Sequence, residues 1–249
     1  MDYVKRKKRI KNIYRISEPY TVAVNHTIPA ITAKAAYKLF TDKMNDYPYF
    51  GRFYIDMERK PKFIWNYFGS TAILGIMTSS VPPVDRVHYN GILFSTETPP
   101  VSVTPLVYPM SLYSVIGEDK AYWRDVLKLR KEYDNNVIEN LVKYTKAYHS
   151  AYMNILRHYD YFDFTLITYH MDRFTHQLRG AQLLKQYEMC DTLLGEVLDN
   201  VDTKNIIAFS DHGADHKKEA IIADSVGLRK LTHFNEIPKY IQEVWREIA

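Results

Sequence analysis

The sequence has little that could hold a fold together covalently or anchor it in a membrane. Cys190 is the single cysteine among 249 residues, so a disulfide within the chain is excluded, and a reducing, cytoplasmic setting is expected. A run of about 18 apolar residues does not occur, so neither a membrane-spanning helix nor a membrane partner is expected. The basic N-terminus is not followed by an apolar stretch, unlike a secretory signal.

The composition is that of a globular protein, with 46% hydrophobic and 25% charged residues. Much of the net charge of +4 comes from the basic residues between Lys5 and Lys11. Residues 1–20 are therefore expected to form a basic N-terminal arm, and residues 21–249 a single domain. A run of charge is usually solvated, so nucleic-acid binding through the arm is the less favoured interpretation.

Short apolar segments rich in β-forming residues alternate with segments of helical periodicity. The predicted strands are Thr21–Val24, Ala72–Met77, Gly91–Ser95, Asp163–Tyr169, Asn205–Phe209 and Ala220–Ala223. Helices are predicted over Ala33–Lys43, over Lys120–Arg157 with a break near Asn135-Asn136, over Thr175–Asn200, and after Asn235 as N-cap. This alternation predicts an α/β fold with a mostly parallel central sheet and helices on both faces.

Acidic and histidine residues follow directly after two of these strands. Asp172 and His176 come after the strand at 163–169, four residues apart at a helix start, so they share one helix face. Asp211 and His212, with His216 close behind, come after the strand at 205–209. Ligands of open α/β sheets bind beyond the carboxyl ends of the strands. If the two strands are adjacent, both clusters meet at one site.

Carboxylate and imidazole groups are the ligands that zinc and manganese take from proteins. Each cluster alone has a simpler interpretation. An Asp and a His four apart are more often a surface pair, and Asp-His-Gly is more often a turn. Two such clusters, each at the end of a strand, favour a divalent metal site over these simpler interpretations.

The two clusters also resemble known motifs. The segment from Tyr169 to His176 resembles the Asp-Arg-x-x-His motif of the type I phosphodiesterase/nucleotide pyrophosphatase branch of the alkaline phosphatase superfamily. Ser210-Asp211-His212-Gly213 is similar to the family's Ser-Asp-His-Gly segment, and Gly213 to His216 is similar to its late Gly-x-His segment. Members begin with a strand that ends in a metal-binding Asp, and by comparison this chain is expected to be N-terminally shortened.

The resemblance implies roles for individual residues. Asp172, His176 and His216 would hold one ion, Zn or Mn, and Asp211 and His212 would bind a second. Thr32 would be the nucleophile, which forms a covalent phospho-enzyme, and Lys34 would bind phosphate.

The implied activity is hydrolysis of a phosphate mono- or diester, with a small phosphate ester or a nucleotide as substrate. The alternative is a degenerate homologue that keeps the fold and acts as a binding or structural protein without turnover.

Overall fold

The computed structural model describes residues 9–24, 63–77, 91–96, 107–109, 111–116, 137–159, 161–169, 171–210 and 219–248. The chain divides into two compact units. Unit 1 consists of Met1–Tyr67 and Leu178–Ala249, and unit 2 of Phe68–Gln177. The division into a basic arm over 1–20 and one domain over 21–249 stays a prediction. Among the described helices, none has the length and apolar character of a membrane span.

Unit 2 contains a parallel sheet. Its strands are β2 (Thr71–Met77), β3 (Gly91–Thr96), β4 (Val107–Tyr108) and β5 (Phe164–Ile167), in the order β4-β3-β2-β5. Strands β3 and β5 both pair in parallel with β2, while β4 is antiparallel to β3. The predicted α/β fold with a parallel sheet is confirmed.

The central strands of this sheet are buried on both faces, which is why they read as continuous apolar runs. The helices of unit 2 are α2 (Leu112–Ile116), α3 (Val137–His158) and α4 (Met171–Gln177). Tyr148, Ala151, Tyr152 and Ile155 of α3 belong to one buried cluster with Ala72, Leu74, Ile92 and Phe94 of the sheet. Ile73 and Leu93, on the opposite face, are also fully buried. The spacing of the α3 residues is that of an amphipathic helix.

Gly75 marks an irregularity near the carboxyl end of β2. The register with β3 shifts between Leu74 and Ile76, and Gly75 has a φ of 88°. A Cβ atom at this position would collide with the carbonyl oxygen of Thr168 and the hydroxyl of Tyr152. Only a residue without a side chain allows β2, the end of β5 and α3 to approach each other here.

Unit 1 contains a small antiparallel sheet. Its strands are β1 (Tyr20–Ala23), β6 (Ile207–Phe209) and β7 (Glu219–Asp224), in the order β1-β7-β6. Both pairings with β7 are antiparallel. Strands β6 and β7 thus differ from the mostly parallel arrangement predicted from the sequence. Their connection is too short for the crossover that parallel strands need.

Two predicted helix boundaries in unit 1 are also wrong. The helix predicted over Thr175–Asn200 is interrupted, because α4 ends at Gln177 and α5 (Gly180–Asn200) begins after Arg179, whose backbone is extended at φ −138° and ψ 164°. The last helix, α6 (Ile237–Ile248), follows a 3-10 turn over Phe234–Glu236, whose N-cap is His233 and not Asn235.

The carboxylate of Glu236 explains where this last turn begins. It accepts hydrogen bonds from the backbone N–H of His233 at 2.8 Å and from the hydroxyl of Thr232 at 2.7 Å. Arg229 donates to it at 2.6 Å and also to Glu243 of α6 at 3.0 Å. Burial acts to raise the pKa of the Glu236 carboxyl, but these hydrogen bonds outweigh it and lower that pKa from 4.5 to about 2.

One carboxylate of α5 binds several backbone groups of the segment before β1. Asp191, which is 7% exposed, accepts the backbone N–H groups of Lys11 at 2.8 Å, Asn12 at 2.9 Å and Ile13 at 2.9 Å. These donors lie at the start of α1 (Ile13–Ile16), where backbone N–H groups have no partner within the helix. Asp191 therefore serves as the cap of α1 from a distant part of the chain.

Replacing Gly75 by Ala is expected to destabilise the protein by about 2–5 kcal/mol, since a strained φ adds to a steric collision. Gly227 is the matched control, because its φ is 66° but a Cβ there would meet nothing within 4 Å. Gly227→Ala is expected to cost about 1–2 kcal/mol, the strain alone. Urea unfolding of both variants measures the difference, and equal losses would contradict the assigned collision.

The lowered pKa of Glu236 predicts a contribution to stability that depends on pH. A carboxyl whose pKa is depressed by folding stabilises the protein above its unfolded pKa of 4.5, and that contribution is lost as pH falls towards 2. Between pH 5 and pH 2.5, the free energy of unfolding of Glu236→Gln is therefore expected to fall less steeply than that of the wild type. Glu247→Gln, at an exposed position of α6, should keep the wild-type slope.

Candidate functional site

The first cluster predicted from the sequence lies where β5 passes into α4. The backbone N–H of Thr168 donates to Leu74 O at 2.9 Å, which extends the pairing with β2 by one residue beyond Ile167. The N–H of Met171 donates to Tyr169 O at 2.9 Å, and α4 begins at Met171. The helix therefore starts within three residues of the sheet, at the carboxyl end of a parallel strand, where α/β proteins bind ligands.

The backbone of Asp172 and of His176 belongs to α4, as predicted. At 3.6 residues per turn, positions four apart are separated by only about 40° around the helix axis. Phe174, which is 1% exposed, lies on the opposite side of the axis, and the neighbouring Thr175 is also buried. The positions of Asp172 and His176 thus share the helix face that lies away from Phe174.

Tyr169 is held in this turn by α3. Its hydroxyl is hydrogen-bonded to Nδ1 of His149 at 2.6 Å, and either group can be the donor, according to the histidine tautomer. His149 is 3% exposed, and the Tyr169 ring also packs against the buried Tyr152 with 6.1 Å between ring centroids. The sequence carries no partner pattern for His149, because its partner lies 20 residues away on another element.

The second cluster follows β6, which leaves its sheet at Ser210. The N–H of Ser210 donates to Ile221 O at 2.9 Å, and the N–H of Ile221 donates to Oγ of Ser210 at 2.9 Å. The serine hydroxyl takes the place of a backbone carbonyl as the last acceptor of the ladder. Ser210 is thus the last described residue of this pairing, and Asp211 follows it in the sequence. In the sequence, only membership of the Ser-Asp-His-Gly motif indicates that Ser210 has a role.

The other predicted site residues lie outside the described residues. These are Thr32, Lys34, Asp211, His212 and His216, and of Asp172 and His176 only the backbone is described. The meeting of the two clusters requires the strand ends to lie close together; among the described residues β5 pairs with β2, and β6 pairs with β7. The meeting of the two clusters at one site stays a prediction.

The chemistry of the side chains at the predicted site positions bears on metal binding. In the part of the chain that the structure describes, three His, Cys, Asp or Glu side chains do not come together as a metal-binding group. A carboxylate and an imidazole at helix positions four apart can reach the same ion, as in zinc-binding helices. Desolvation raises the pKa of the Cys190 thiol to about 12, and the charge of the neighbouring Asp191 adds to the shift.

The comparison with protein families gives a clear result. The family model for type I phosphodiesterase/nucleotide pyrophosphatase matches residues 51–237, more than half of the chain. The matched residues include both acidic and histidine clusters, and they begin after Thr32 and Lys34. No curated protein and no solved structure matches the chain. The chain belongs to the type I phosphodiesterase/nucleotide pyrophosphatase family, within the alkaline phosphatase superfamily.

Proposed function

We propose that this protein hydrolyses a phosphate mono- or diester, such as a nucleotide, with one or two bound divalent ions. The observation that carries the proposal is the placement of Asp172 and His176 on one short helix directly beyond the carboxyl end of β5. The family match supports it, because the matched residues include this helix and the segment after β6. Family membership alone would not show which residues of this chain form the site.

The proposed metal ligands are of the types that Zn and Mn bind. Asp172, His176 and His216 hold the first ion, and Asp211 with His212 holds the second. Bound ions of this kind withdraw charge from phosphate oxygens and lower the pKa of a hydroxyl nearby. Ser210 supports the second pair, since its two hydrogen bonds to Ile221 hold the residue that precedes Asp211.

Thr32 is the proposed nucleophile, and Lys34 the proposed phosphate-binding cation. The Thr32 hydroxyl oxygen bonds to phosphorus as the bond to the leaving alcohol breaks, and the hydroxyl proton ends on that alcohol. Water then cleaves the phospho-threonine and releases phosphate from a monoester substrate, or a phosphate monoester from a diester. Lys34, two residues further along the chain, would balance negative charge on the phosphoryl group as a point charge. This part rests on the resemblance of the segment around Thr32 to the family's nucleophile loop.

Metal content and turnover together test the proposal. Protein purified without chelator and reloaded with Zn or Mn is expected to contain one or two ions per chain by elemental analysis and to cleave nitrophenyl phosphate esters. Asp172→Ala and Asp211→Ala should each lower kcat/KM by more than about 100-fold, beyond the usual effect of groups that only support a metal ligand. Thr32→Ala should abolish turnover with metal content unchanged, and Thr32→Ser should retain it.

Matched controls come from exposed residues of the same types. Asp199, whose side chain is 63% exposed, and His158, at the end of α3, should tolerate Ala with wild-type rates. A protein that binds no ion, or turnover that survives in Asp172→Ala, would overturn the mechanism. Bound metal without turnover of any phosphate ester would instead support the degenerate, non-catalytic homologue.

A further inference from the structure

The connection between β5 and α4 is short enough for one residue to govern the position of the helix. Only residues 168–170 lie between Ile167 and Met171. The first of them, Thr168, is fixed by its hydrogen bond to Leu74 O. Tyr169 follows it, and among the described residues of this connection its side chain is hydrogen-bonded to α3.

Burial and one hydrogen bond restrain α4. Phe174 and Thr175, in the middle of the helix, are 1% and 6% exposed. The hydrogen bond of 2.6 Å between the Tyr169 hydroxyl and His149 Nδ1 lies just before the N-terminal end of the helix. Because Tyr169 is two residues from Met171, this bond restrains the point at which the helix begins.

The partner of Tyr169 is itself rigid. His149 lies inside the 22-residue helix α3, is 3% exposed, and is flanked in sequence by Tyr148 at 4%. Side chains in such positions are restrained by close packing on all sides. The hydrogen bond thus connects the β5–α4 turn to a buried position of α3.

We propose that the hydrogen bond between Tyr169 and His149 positions α4 for metal binding, so that both act as positioning residues for Asp172 and His176. This inference rests on the proposed metal-dependent function. Metal affinity depends on ligand positions within about 0.5 Å, so a small pivot of the helix is enough to weaken it. Neither residue needs to touch the ion.

Tyr169→Phe tests this directly, because it removes only the hydroxyl. Metal-free protein is titrated with Mn²⁺, and separately with Zn²⁺ against a competing chelator. The expected result is a loss of affinity of about tenfold, the lower end of what supporting residues contribute to metal sites. The denaturant midpoint of the metal-free variant is measured in parallel.

Tyr144→Phe is the matched control. Tyr144 is also half-buried, and its hydroxyl is hydrogen-bonded at 2.8 Å to Tyr148, which is likewise a buried residue of α3. Its hydrogen bond does not involve the β5–α4 turn. The two variants are expected to shift the denaturant midpoint similarly, while only Tyr169→Phe loses metal affinity.

A double-mutant cycle that combines Tyr169→Phe with His149→Leu shows whether both residues affect metal affinity through their shared hydrogen bond. If both residues act through this hydrogen bond, the double variant should lose no more affinity than Tyr169→Phe alone, because the bond can be lost only once. Losses that multiply in the double variant would overturn the proposal.

The outcomes distinguish this inference from the proposed function. Wild-type protein that binds Mn²⁺ and Zn²⁺, together with an unchanged affinity in Tyr169→Phe, would overturn the positioning role alone. Equal losses of affinity in Tyr169→Phe and Tyr144→Phe would also overturn it, as they indicate general loosening of unit 2. Wild-type protein that binds neither ion would overturn the proposed function and this inference together.

Discussion

The arrangement at the carboxyl end of the parallel sheet depends on the absence of a side chain at Gly75. The carbonyl of Thr168 and the hydroxyl of Tyr152 occupy the space that a Cβ would fill. Because they approach so closely, the end of β5 lies directly against β2, and α3 lies across both. The start of α4, and with it the backbone of Asp172, follows from that contact. A glycine in a strand usually weakens the strand, and here it allows this close approach.

Strand β5 of unit 2 and strand β6 of unit 1 end in different ways. In unit 2, β5 passes into a helix within three residues, and Tyr169 and Phe174 hold that helix by a hydrogen bond and by burial. In unit 1, β6 ends when the hydroxyl of Ser210 replaces a backbone carbonyl as acceptor. Both devices place acidic and histidine residues immediately after a strand. Each includes one hydrogen bond from a side-chain hydroxyl, that of Tyr169 or that of Ser210.

Much of the fold could be predicted from local pattern, and each wrong prediction has a physical cause that the structure shows. Strands β2, β5, β6 and β7 were predicted within one or two residues, because each is an apolar run of β-forming residues. The interruption at Arg179 was missed, since apolar positions at Leu178, Leu183 and Leu184 continue the helical period across it. The cap at His233 was missed because it depends on the carboxylate of Glu236, whose pairing with Arg229 is tertiary.

For the site, the motifs predicted the family, since Asp-Arg-x-x-His and Ser-Asp-His-Gly occur in that order, and the family match confirms it. The helix under Asp172 and His176 was also predicted. The pairing of Tyr169 with His149 could not be, because a hydrogen bond between two elements leaves no periodic trace in the sequence. The same is true of the strand order, which separates β5 from β6 in the described sheets.

The attachment of α1 to Asp191 has a consequence for the order in which the protein is made. Asn12 and its partner Asp191 are 179 residues apart. At ribosomal rates of about 5–20 residues per second, the first of them waits on the order of 10 to 40 seconds for the second. Strand β1 waits longer, because its partner β7 is synthesised later still. Throughout that interval the basic residues near Asn12 are open to chaperones and to anionic surfaces, and the docking of this segment becomes a late event of biosynthesis.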